Sequence, residues 1–268
     1  MGEPSLQSQI DAARAYETIM VPALFREWAE PILDAAEVQA DQRVLDVACG
    51  TGVLARAACE RVGQGGAVVG LDPSQGMLAV AGELTSGVEW HSGTAEAAPF
   101  PDSSFDAVVC QFGLMFFGDR AAAIREMLRV LKPGGAVALA VWDTLENSPA
   151  YAVEVSILEK LAGPEAANAL RAPFVLGDPA ETLGLLQEAG VASPSVLSKT
   201  GTAKFPSVRV MVEADLRGWL PVMGVHLTEQ QISEIFAEAE SALAEFVTRS
   251  GEIVFDSPAH IVSGRRCG

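Results

Sequence analysis

The sequence is poor in positive charge. Its 268 residues contain 18 Lys and Arg but 35 Asp and Glu, so the formal net charge at pH 7 is −17. A surplus of this size repels phosphate backbones and anionic lipids, and no run of basic residues offsets it. The composition therefore predicts that the protein binds neither nucleic acid nor membranes, and that its partner is a small molecule.

Cysteine and histidine are also scarce, and they are scattered along the chain. The cysteines form no Cys-x-x-Cys pair and the histidines lie far apart, which argues against a zinc site and against a disulfide framework. We expect reduced thiols, a cytoplasmic location and no bound metal. These residues are Cys49, Cys59, Cys110, Cys267, His91, His226 and His260.

Long hydrophobic runs are missing as well. The longest uncharged apolar stretch, 107–118, is too short to cross a bilayer, and the first residues lack the basic and apolar segments of a signal peptide. Hydrophobic residues nevertheless make up 49% of the sequence. That fraction is too high for a disordered chain and is sufficient for a large buried core.

Short apolar runs alternate with helical patterns through the middle of the chain. Continuous apolar strands of this kind predict an α/β protein whose mostly parallel sheet is covered by helices on both faces. The predicted strands are 43–48, 67–71, 88–91, 105–110 and 136–142, and the predicted helices between them are 53–62, 74–82 and 120–131.

The flanks of this region look mainly helical. Helical patterns cover 9–38, 149–162, 179–189 and 207–249, a strand is expected near 196–205, and the chain should end in a strand or hairpin over 252–263. No repeat or polar linker separates two domains. We expect one domain over 1–268, made of an N-terminal helical cover (1–40), a cofactor-binding half (41–145), a second half of the sheet (146–206), a helical lid (207–249) and the last strand (250–268).

A glycine loop follows the first predicted strand. That strand contains Asp46, Gly50 and Gly52 follow it, and Asp72 ends the next strand. Glycines let the backbone approach a ligand closely, and the helix that follows presents unpaired N–H groups. A carboxylate at the end of the second strand is placed to bind the two hydroxyls of a ribose.

Two cofactors fit this pattern. In a nicotinamide dinucleotide site, Ala55 could take the place of the third small residue of the fingerprint. Asp46, however, would repel a pyrophosphate, whereas it suits the cationic ammonium or sulfonium of S-adenosyl-L-methionine. The pattern thus favours S-adenosyl-L-methionine, with a nicotinamide oxidoreductase as a more distant alternative.

The ordered motifs of residues 40–145 resemble those of class I S-adenosylmethionine-dependent methyltransferases, in particular the quinone-biosynthesis C-methyltransferase (type 11) group. Five motifs in order are a far more specific signal than one glycine loop. The resemblance implies a Rossmann-like, doubly wound, seven-stranded sheet. The motifs begin with Val44-Leu-Asp-Val-Ala-Cys-Gly-Thr-Gly and Gly70-Leu-Asp-Pro-Ser, continue through Gly93-Thr-Ala-Glu-Ala-Ala-Pro-Phe-Pro-Asp-Ser-Ser-Phe-Asp-Ala-Val-Val-Cys, which covers two of them, and end with Arg129-Val-Leu-Lys-Pro-Gly-Gly.

The same resemblance implies roles for particular residues around the cofactor. Thr94 departs from the family pattern, since many relatives carry an aspartate there to accept a bond from the adenine amine. The implied contacts are Asp46, Ala48, Gly50 and Gly52 around the methionine part, Asp72 on the ribose, Pro73 and Met77 against the adenine ring, Thr94 and Ala95 at its edge, and Gln111 near the methionine part or the acceptor.

The acceptor half of the site is far less defined by the sequence. We expect methyl transfer by in-line displacement to a small apolar or aromatic acceptor, catalysed mainly by proximity and desolvation. Elimination, cyclisation or dehalogenation on the same scaffold, or a non-catalytic cofactor-binding protein, stay open as alternatives. The oligomeric state is unreadable. Candidate acceptor contacts are Phe25, Trp28, Phe116, Trp142 and Trp219, and candidate bases are His226, Tyr16 and Tyr151.

Overall fold

A seven-stranded sheet with the order β3-β2-β1-β4-β5-β7-β6 forms the centre of the protein in a computed structural model that describes residues 5–267. β7 runs antiparallel to β5 and β6, and the other pairs are parallel. This arrangement confirms the Rossmann-like, doubly wound α/β fold. The strands are β1 Arg43–Val47, β2 Ala67–Asp72, β3 Val88–Ser92, β4 Phe105–Gln111, β5 Leu131–Trp142, β6 Val191–Phe205 and β7 Ile253–Arg266.

Helices cover both faces of the sheet. Their apolar sides pack on central strands such as β1 and β4, which are almost entirely buried because helices lie above and below them. No helix among residues 5–267 is both long and apolar enough to cross a membrane. The helices are α1 Leu6–Met20, α2 Ala29–Ala35, α3 Val53–Val62, α4 Gln75–Leu84, α5 Arg120–Val130, α6 Pro149–Leu161, α7 Pro164–Arg171, α8 Pro179–Glu188, α9 Val208–Glu213, α10 Leu220–Val222 and α11 Glu229–Ala242.

Two π turns interrupt the helical flanks. The first, Val21–Phe25, connects α1 to a short 3-10 turn that leads into α2, and it contains Pro22. Proline removes a backbone donor, so a widened turn at this point is expected. The second, Ala214–Trp219, connects α9 to α10 within the segment between β6 and β7.

The strand order reverses between β1 and β4, which are adjacent parallel strands at the centre of the sheet. β1 pairs with β2 on one side and β4 on the other, with Asp46 opposite Gly70 and Val109. Loops leaving the carboxyl ends of these strands diverge and open a crevice, which is where ligands bind in sheets of this type. Asp46 and Asp72 lie at that edge.

The second half of the sheet decides one alternative that the sequence left open and differs from the prediction in two details. The terminal segment is one continuous strand and not a hairpin: β6 pairs with it on both sides of Pro258, and β5 pairs with it from Ala259 to Arg265. β6 begins at Val191, earlier than expected. α7 was not predicted; it has only eight residues, and its buried face consists largely of alanine.

Trp90 of β3 packs across β2 onto the glycine loop. A Cβ atom at Gly70 or at Gly52 would overlap the Trp90 ring. Both positions therefore require glycine for close packing, and the indole ties β3, β2 and the start of α3 together.

Gly70→Ala should lower the free energy of unfolding by about 1–3 kcal/mol, because the added methyl group forces the Trp90 ring out of a packed position. Chemical denaturation followed by circular dichroism measures this change. Gly184→Ala in α8 is the matched control: its Cβ meets nothing within 4 Å, so it should stabilise the protein by roughly 0.5–1 kcal/mol. Equal stability of Gly70→Ala and the wild type would contradict the packing argument.

Candidate functional site

The loop after β1 follows an unusual backbone path. Ala48, Gly50 and Gly52 all have positive φ angles, of 56°, 54° and 84°. Such angles are easy for glycine and strained for alanine, which makes Ala48 a residue held in place by its surroundings. The path ends at Gly52, the N-cap of α3, so the unpaired N–H groups of α3 face the crevice.

Asp72 anchors this loop from the neighbouring strand. Its Oδ2 accepts a hydrogen bond from the Gly50 N–H and its Oδ1 accepts one from the Ser74 N–H, both at 2.8 Å. Burial raises the pKa of the carboxyl, and the two amide donors partly oppose that rise. Each carboxylate oxygen still has a free lone pair, so Asp72 can also accept bonds from a ligand.

Asp46 is the most unusual acid of the site. It is only 1% exposed, and neither carboxylate oxygen has a hydrogen-bond partner within the described residues. Burial raises the pKa of Asp46 well above its ordinary value. The nearby Ala55 N–H lowers the pKa, although it lies too far out of line to form a hydrogen bond, and the charge of Asp72 raises it further. A buried carboxylate without donors is costly, and a cationic ligand would remove that cost.

A cavity of about 200 Å³ lies beside the loop, on the side of β2 and β3. Its walls are mostly apolar, and the polar side chains among its lining residues are Thr94 and Glu96. Glu96 is held by a hydrogen bond of 3.0 Å from the Gly118 N–H to its Oε1. The lining consists of Ala48, Leu71, Pro73, Gly93, Thr94, Ala95, Glu96, Phe116 and Phe117.

Met77 is the exception among the residues predicted to contact the adenine ring. Met77 lies half-buried in the first turn of α4, where its N–H is bonded to Ser74 Oγ, but it is absent from the cavity lining. Ala48, Pro73, Thr94 and Ala95 do line the cavity. The structure thus brings most residues predicted for the adenine end to one place.

Helix α1 is bound to the glycine loop through Glu17. One carboxylate oxygen of Glu17 accepts the Thr51 hydroxyl at 2.5 Å, and the other accepts from Arg56 Nη2 at 2.7 Å. Arg56 also donates to the Thr51 carbonyl at 2.6 Å. These bonds hold the N-terminal helix over the cofactor side of the crevice.

Tyr16 lies next to Glu17 and faces the buried acids. The pKa of its hydroxyl is raised, first by burial and then by the charges of Asp72, Glu17 and Asp46. A tyrosine in this environment keeps its proton at neutral pH, so it is suited to donate a hydrogen bond and poorly suited to act as a base.

Gln111 connects the end of β4 to the N-terminal segment. Its amide donates to the Phe25 carbonyl at 2.9 Å, and its Oε1 is buried without a partner among the described residues. That oxygen is available to a ligand donor.

The predicted acceptor contacts fall into two groups. Phe25, Trp28 and Trp142 pack with Phe112, whose ring stacks on Trp142 at 3.7 Å, in a largely buried cluster at the ends of β4 and β5. Phe116 and Trp219 form the other group, with ring centroids 5.1 Å apart. Phe116 lines the cavity and is 44% exposed, so this second group borders its opening.

The other two candidate bases lie apart from the cofactor side. His226 is exposed in the loop before α11. Tyr151 of α6 is buried between the rings of Phe174 and Phe255, at 5.7 and 5.6 Å. No group of three or more potential metal-ligating side chains occurs within residues 5–267.

Sequence reasoning missed Glu17, Thr51, Arg56 and Glu96. Thr51 and Glu96 stand inside the quoted motifs, so their position was a usable signal. Glu17 lies in a helix far from the loop in sequence, and only the folded chain shows that the two meet.

Comparisons with known proteins identify the family of the chain. A family model described as a methyltransferase domain matches residues 44–135. The ubiquinone/menaquinone biosynthesis C-methyltransferase UbiE of Xanthomonas oryzae pv. oryzae is 45% identical over 132 residues, which are 46% of this chain and 52% of that protein. The chain thus spans about half the length of such relatives.

A longer match comes from the UbiE protein of Pectobacterium atrosepticum. It is 31% identical over 199 residues, which are 68% of this chain and 79% of that protein. Among solved structures, a putative methyltransferase from an antibiotic biosynthesis pathway of Anabaena variabilis superposes with a TM-score of 0.63 at 18% identity, over 88% of this chain and 96% of that one. At this identity the structural match shows the fold. With the ordered motifs and the Pectobacterium match, the chain belongs to the class I S-adenosylmethionine-dependent methyltransferases.

Proposed function

We propose that the protein binds S-adenosyl-L-methionine in this crevice and transfers its methyl group to a small apolar or aromatic acceptor. The observation that carries the proposal is Asp46, a buried carboxylate without a partner, one strand away from Asp72. A cationic amino acid joined to a ribose would satisfy both acids at once. The names of the relatives support methyl transfer over elimination, cyclisation or dehalogenation.

The residues divide the cofactor between them. Asp46 receives the ammonium group, and Gly50 and Gly52 let the backbone approach the methionine part. Asp72 accepts the ribose hydroxyls with the lone pairs that its amide donors leave free. The cavity beside Pro73 takes the adenine ring.

Glu96 provides a charged hydrogen-bond acceptor at the adenine end, where the hydroxyl of Thr94 is only a weak one. Its carboxylate shares the cavity wall with Thr94, and the Gly118 amide holds one of its oxygens. An adenine amine could therefore bond to a charged acceptor even though Thr94 replaces the family's aspartate.

The cofactor supplies an activated methyl group on a sulfonium, and the chain supplies orientation and exclusion of water. Bound in the crevice, the cofactor would offer its methyl carbon to in-line attack by the acceptor, with S-adenosylhomocysteine as the leaving group. Two polar groups lie near the acceptor: Oε1 of Gln111, at the end of β4, and the hydroxyl of Tyr16, in α1. The mainly helical segments 5–40 and 207–249 act as covers that exclude water, and Phe116 and Trp219 contact the acceptor. We place the enzyme in the cytoplasm, where its free thiols stay reduced.

Asp72→Ala should weaken binding of S-adenosylhomocysteine by tenfold or more, since charge-assisted bonds to ribose hydroxyls contribute roughly 1.5–3 kcal/mol each. Isothermal titration calorimetry measures the dissociation constant. Asp256→Ala, which removes an exposed acid of β7, serves as the control and should bind as the wild type does. Unchanged affinity in Asp72→Ala would remove the ribose assignment.

Asp46→Asn should discriminate between ligands with and without the amino-acid part. We expect at least a tenfold loss of affinity for S-adenosylhomocysteine and little change for 5′-methylthioadenosine, which has no ammonium group, whereas Asp72→Ala should weaken both. The same calorimetry with the two ligands provides the test. Equal losses for both ligands in Asp46→Asn would contradict the assignment of Asp46 to the ammonium.

Glu17→Ala should loosen the N-terminal helix and raise the dissociation constant for S-adenosylhomocysteine several-fold. The reason is that Glu17 bonds both Thr51 and Arg56, and the three side chains are largely shielded from water. Arg14→Ala is the control on the same helix, because it removes only the exposed ion pair with Glu83. Limited proteolysis of α1 with and without ligand would report the loosening directly; identical digestion of Glu17→Ala and Arg14→Ala would argue against it.

A further inference from the structure

A serine, a histidine and an aspartate lie together near the edge of the sheet opposite to β3, outside the cofactor cavity. Ser198 of β6 and His260 of β7 are register partners, and Ser198 Oγ lies 2.8 Å from His260 Nδ1. On the other side of the imidazole, Nε2 lies 3.1 Å from the Gly177 carbonyl and 3.4 Å from Oδ1 of Asp143, which directly follows β5. The order hydroxyl, imidazole, carboxylate is that of an activated serine nucleophile.

The partners of His260 determine which ring nitrogen carries the hydrogen. A carbonyl oxygen and a carboxylate can only accept hydrogen bonds, so Nε2 is the donor and faces Gly177 and Asp143. In the neutral imidazole Nδ1 then has a free lone pair, and the Ser198 hydroxyl donates to it. His260 is therefore in the form that can take the proton of Ser198 as a general base.

Asp143 is itself held in position by the chain around it. Its Oδ1 accepts hydrogen bonds from the Thr144 N–H at 2.6 Å and from Asn147 Nδ2 at 3.1 Å, and its backbone N–H donates to the Pro258 carbonyl at 3.0 Å. The side chains of His260 and Asp143 are only 7% and 17% exposed. Water therefore screens their attraction little, and the carboxylate would stabilise the imidazolium that forms when His260 accepts a proton.

Ser198 differs from its two partners because it is exposed to solvent on the outermost strand. The Thr202 N–H points away from β7, since it donates to Glu27 Oε1 at 2.6 Å. The N–H groups of a strand alternate between its two sides, and the register is unbroken from Ser195 to Phe205, so the Ser198 N–H points to the same outer side. Within the described sheet it has no strand partner there, and it is a donor beside the nucleophile for the oxygen of an attacked carbonyl.

We propose that Ser198, His260 and Asp143 form a second reactive centre, which cleaves small carboxylic esters with good leaving groups. His260 takes the Ser198 proton as Oγ bonds to the carbonyl carbon; the ester carbon–oxygen bond then breaks, and the alcohol leaves with that proton. Water releases the acid from Ser198 in the same way, with His260 again as the base. Small esters are favoured because an exposed strand offers few contacts to a large acyl group.

This centre is separate from the proposed methyl transfer. None of its three residues lines the cofactor cavity, and the matched family model ends at residue 135, before all of them. Its reaction uses only ester and water and needs no S-adenosyl-L-methionine.

The nucleophile can be tested with diisopropyl fluorophosphate, which bonds to an activated serine oxygen with loss of fluoride. We expect the full chain to gain one diisopropylphosphoryl group at Ser198, located by peptide mass spectrometry, at a rate at least tenfold above that at any other serine. Ser198→Ala should lose this label. Ser195→Ala is the matched control and should be labelled like the wild type, because it removes an exposed serine of the same strand whose register partner is Ser263 and not a histidine.

Asp143→Asn tests the positioning role of the carboxylate. Asparagine can keep the hydrogen bonds from Thr144 and Asn147 through its Oδ1, but it lacks the charge that faces His260. We expect kcat for hydrolysis of p-nitrophenyl acetate to fall at least tenfold with KM little changed, whereas a purely structural role predicts lower stability and an unchanged kcat per folded molecule. His260→Asn should lower kcat and the labelling rate at least a hundredfold. Circular dichroism establishes that each variant folds, and Asp143→Asn is decisive if His260→Asn does not.

Three results would each overturn this proposal. They are a wild type without label at Ser198, a Ser198→Ala variant that hydrolyses p-nitrophenyl acetate as fast as the wild type, and wild-type rates in every folded variant of His260 and Asp143. Failure of the chain to bind S-adenosylhomocysteine would contradict the proposed function and leave the labelling of Ser198 unaffected, so the two proposals fail separately.

Discussion

The buried carboxyl group of Asp46 is the constraint on which the arrangement of the crevice depends. A carboxylate that is 1% exposed and has no hydrogen-bond donor is unfavourable in the free protein. It is held there because it lies in β1, a central strand buried between helices. The protein thus keeps a binding group preorganised at a cost that a cationic ligand would offset. Asp72 differs in that two backbone amides already stabilise it, so it combines a structural role in the loop with a free capacity for hydroxyls.

The N-terminal helix is coupled to this loop by side chains and not by the backbone. Glu17 bonds to both Thr51 and Arg56, and Gln111 holds the Phe25 carbonyl at the other end of the segment. The cover is therefore attached at the cofactor side through Thr51 and at the acceptor side through β4. The position of α1 therefore depends on the position of the glycine loop.

The sheet and the cofactor side were predictable from the sequence because they depend on local patterns. Continuous apolar runs identify β1, β2 and β4, and the spacing of Asp46, Gly50, Gly52 and Asp72 follows from the geometry of parallel strands. The cover was not predictable in the same way. Glu17 meets Thr51 only in the folded chain, α7 is a helix of only eight residues, and β7 keeps its pairing with β6 through Pro258. Glu154 and Asp215 were invisible for a related reason: a single acid in a helical pattern normally faces solvent, and only tertiary packing shows that these two face each other.

The two buried acid pairs of the protein illustrate how the same residue type takes different roles. At the crevice, Asp72 has backbone donors and lies beside a glycine loop, and Asp46 has none. Away from the crevice, Glu154 and Asp215 hydrogen-bond each other, with Tyr151 close to both. Burial raises the pKa of both Glu154 and Asp215, so the pair can share protons and needs no counter-charge. Asp46 has no hydrogen-bonding neighbour of this kind among the described residues, which is why a cationic ligand would stabilise the crevice.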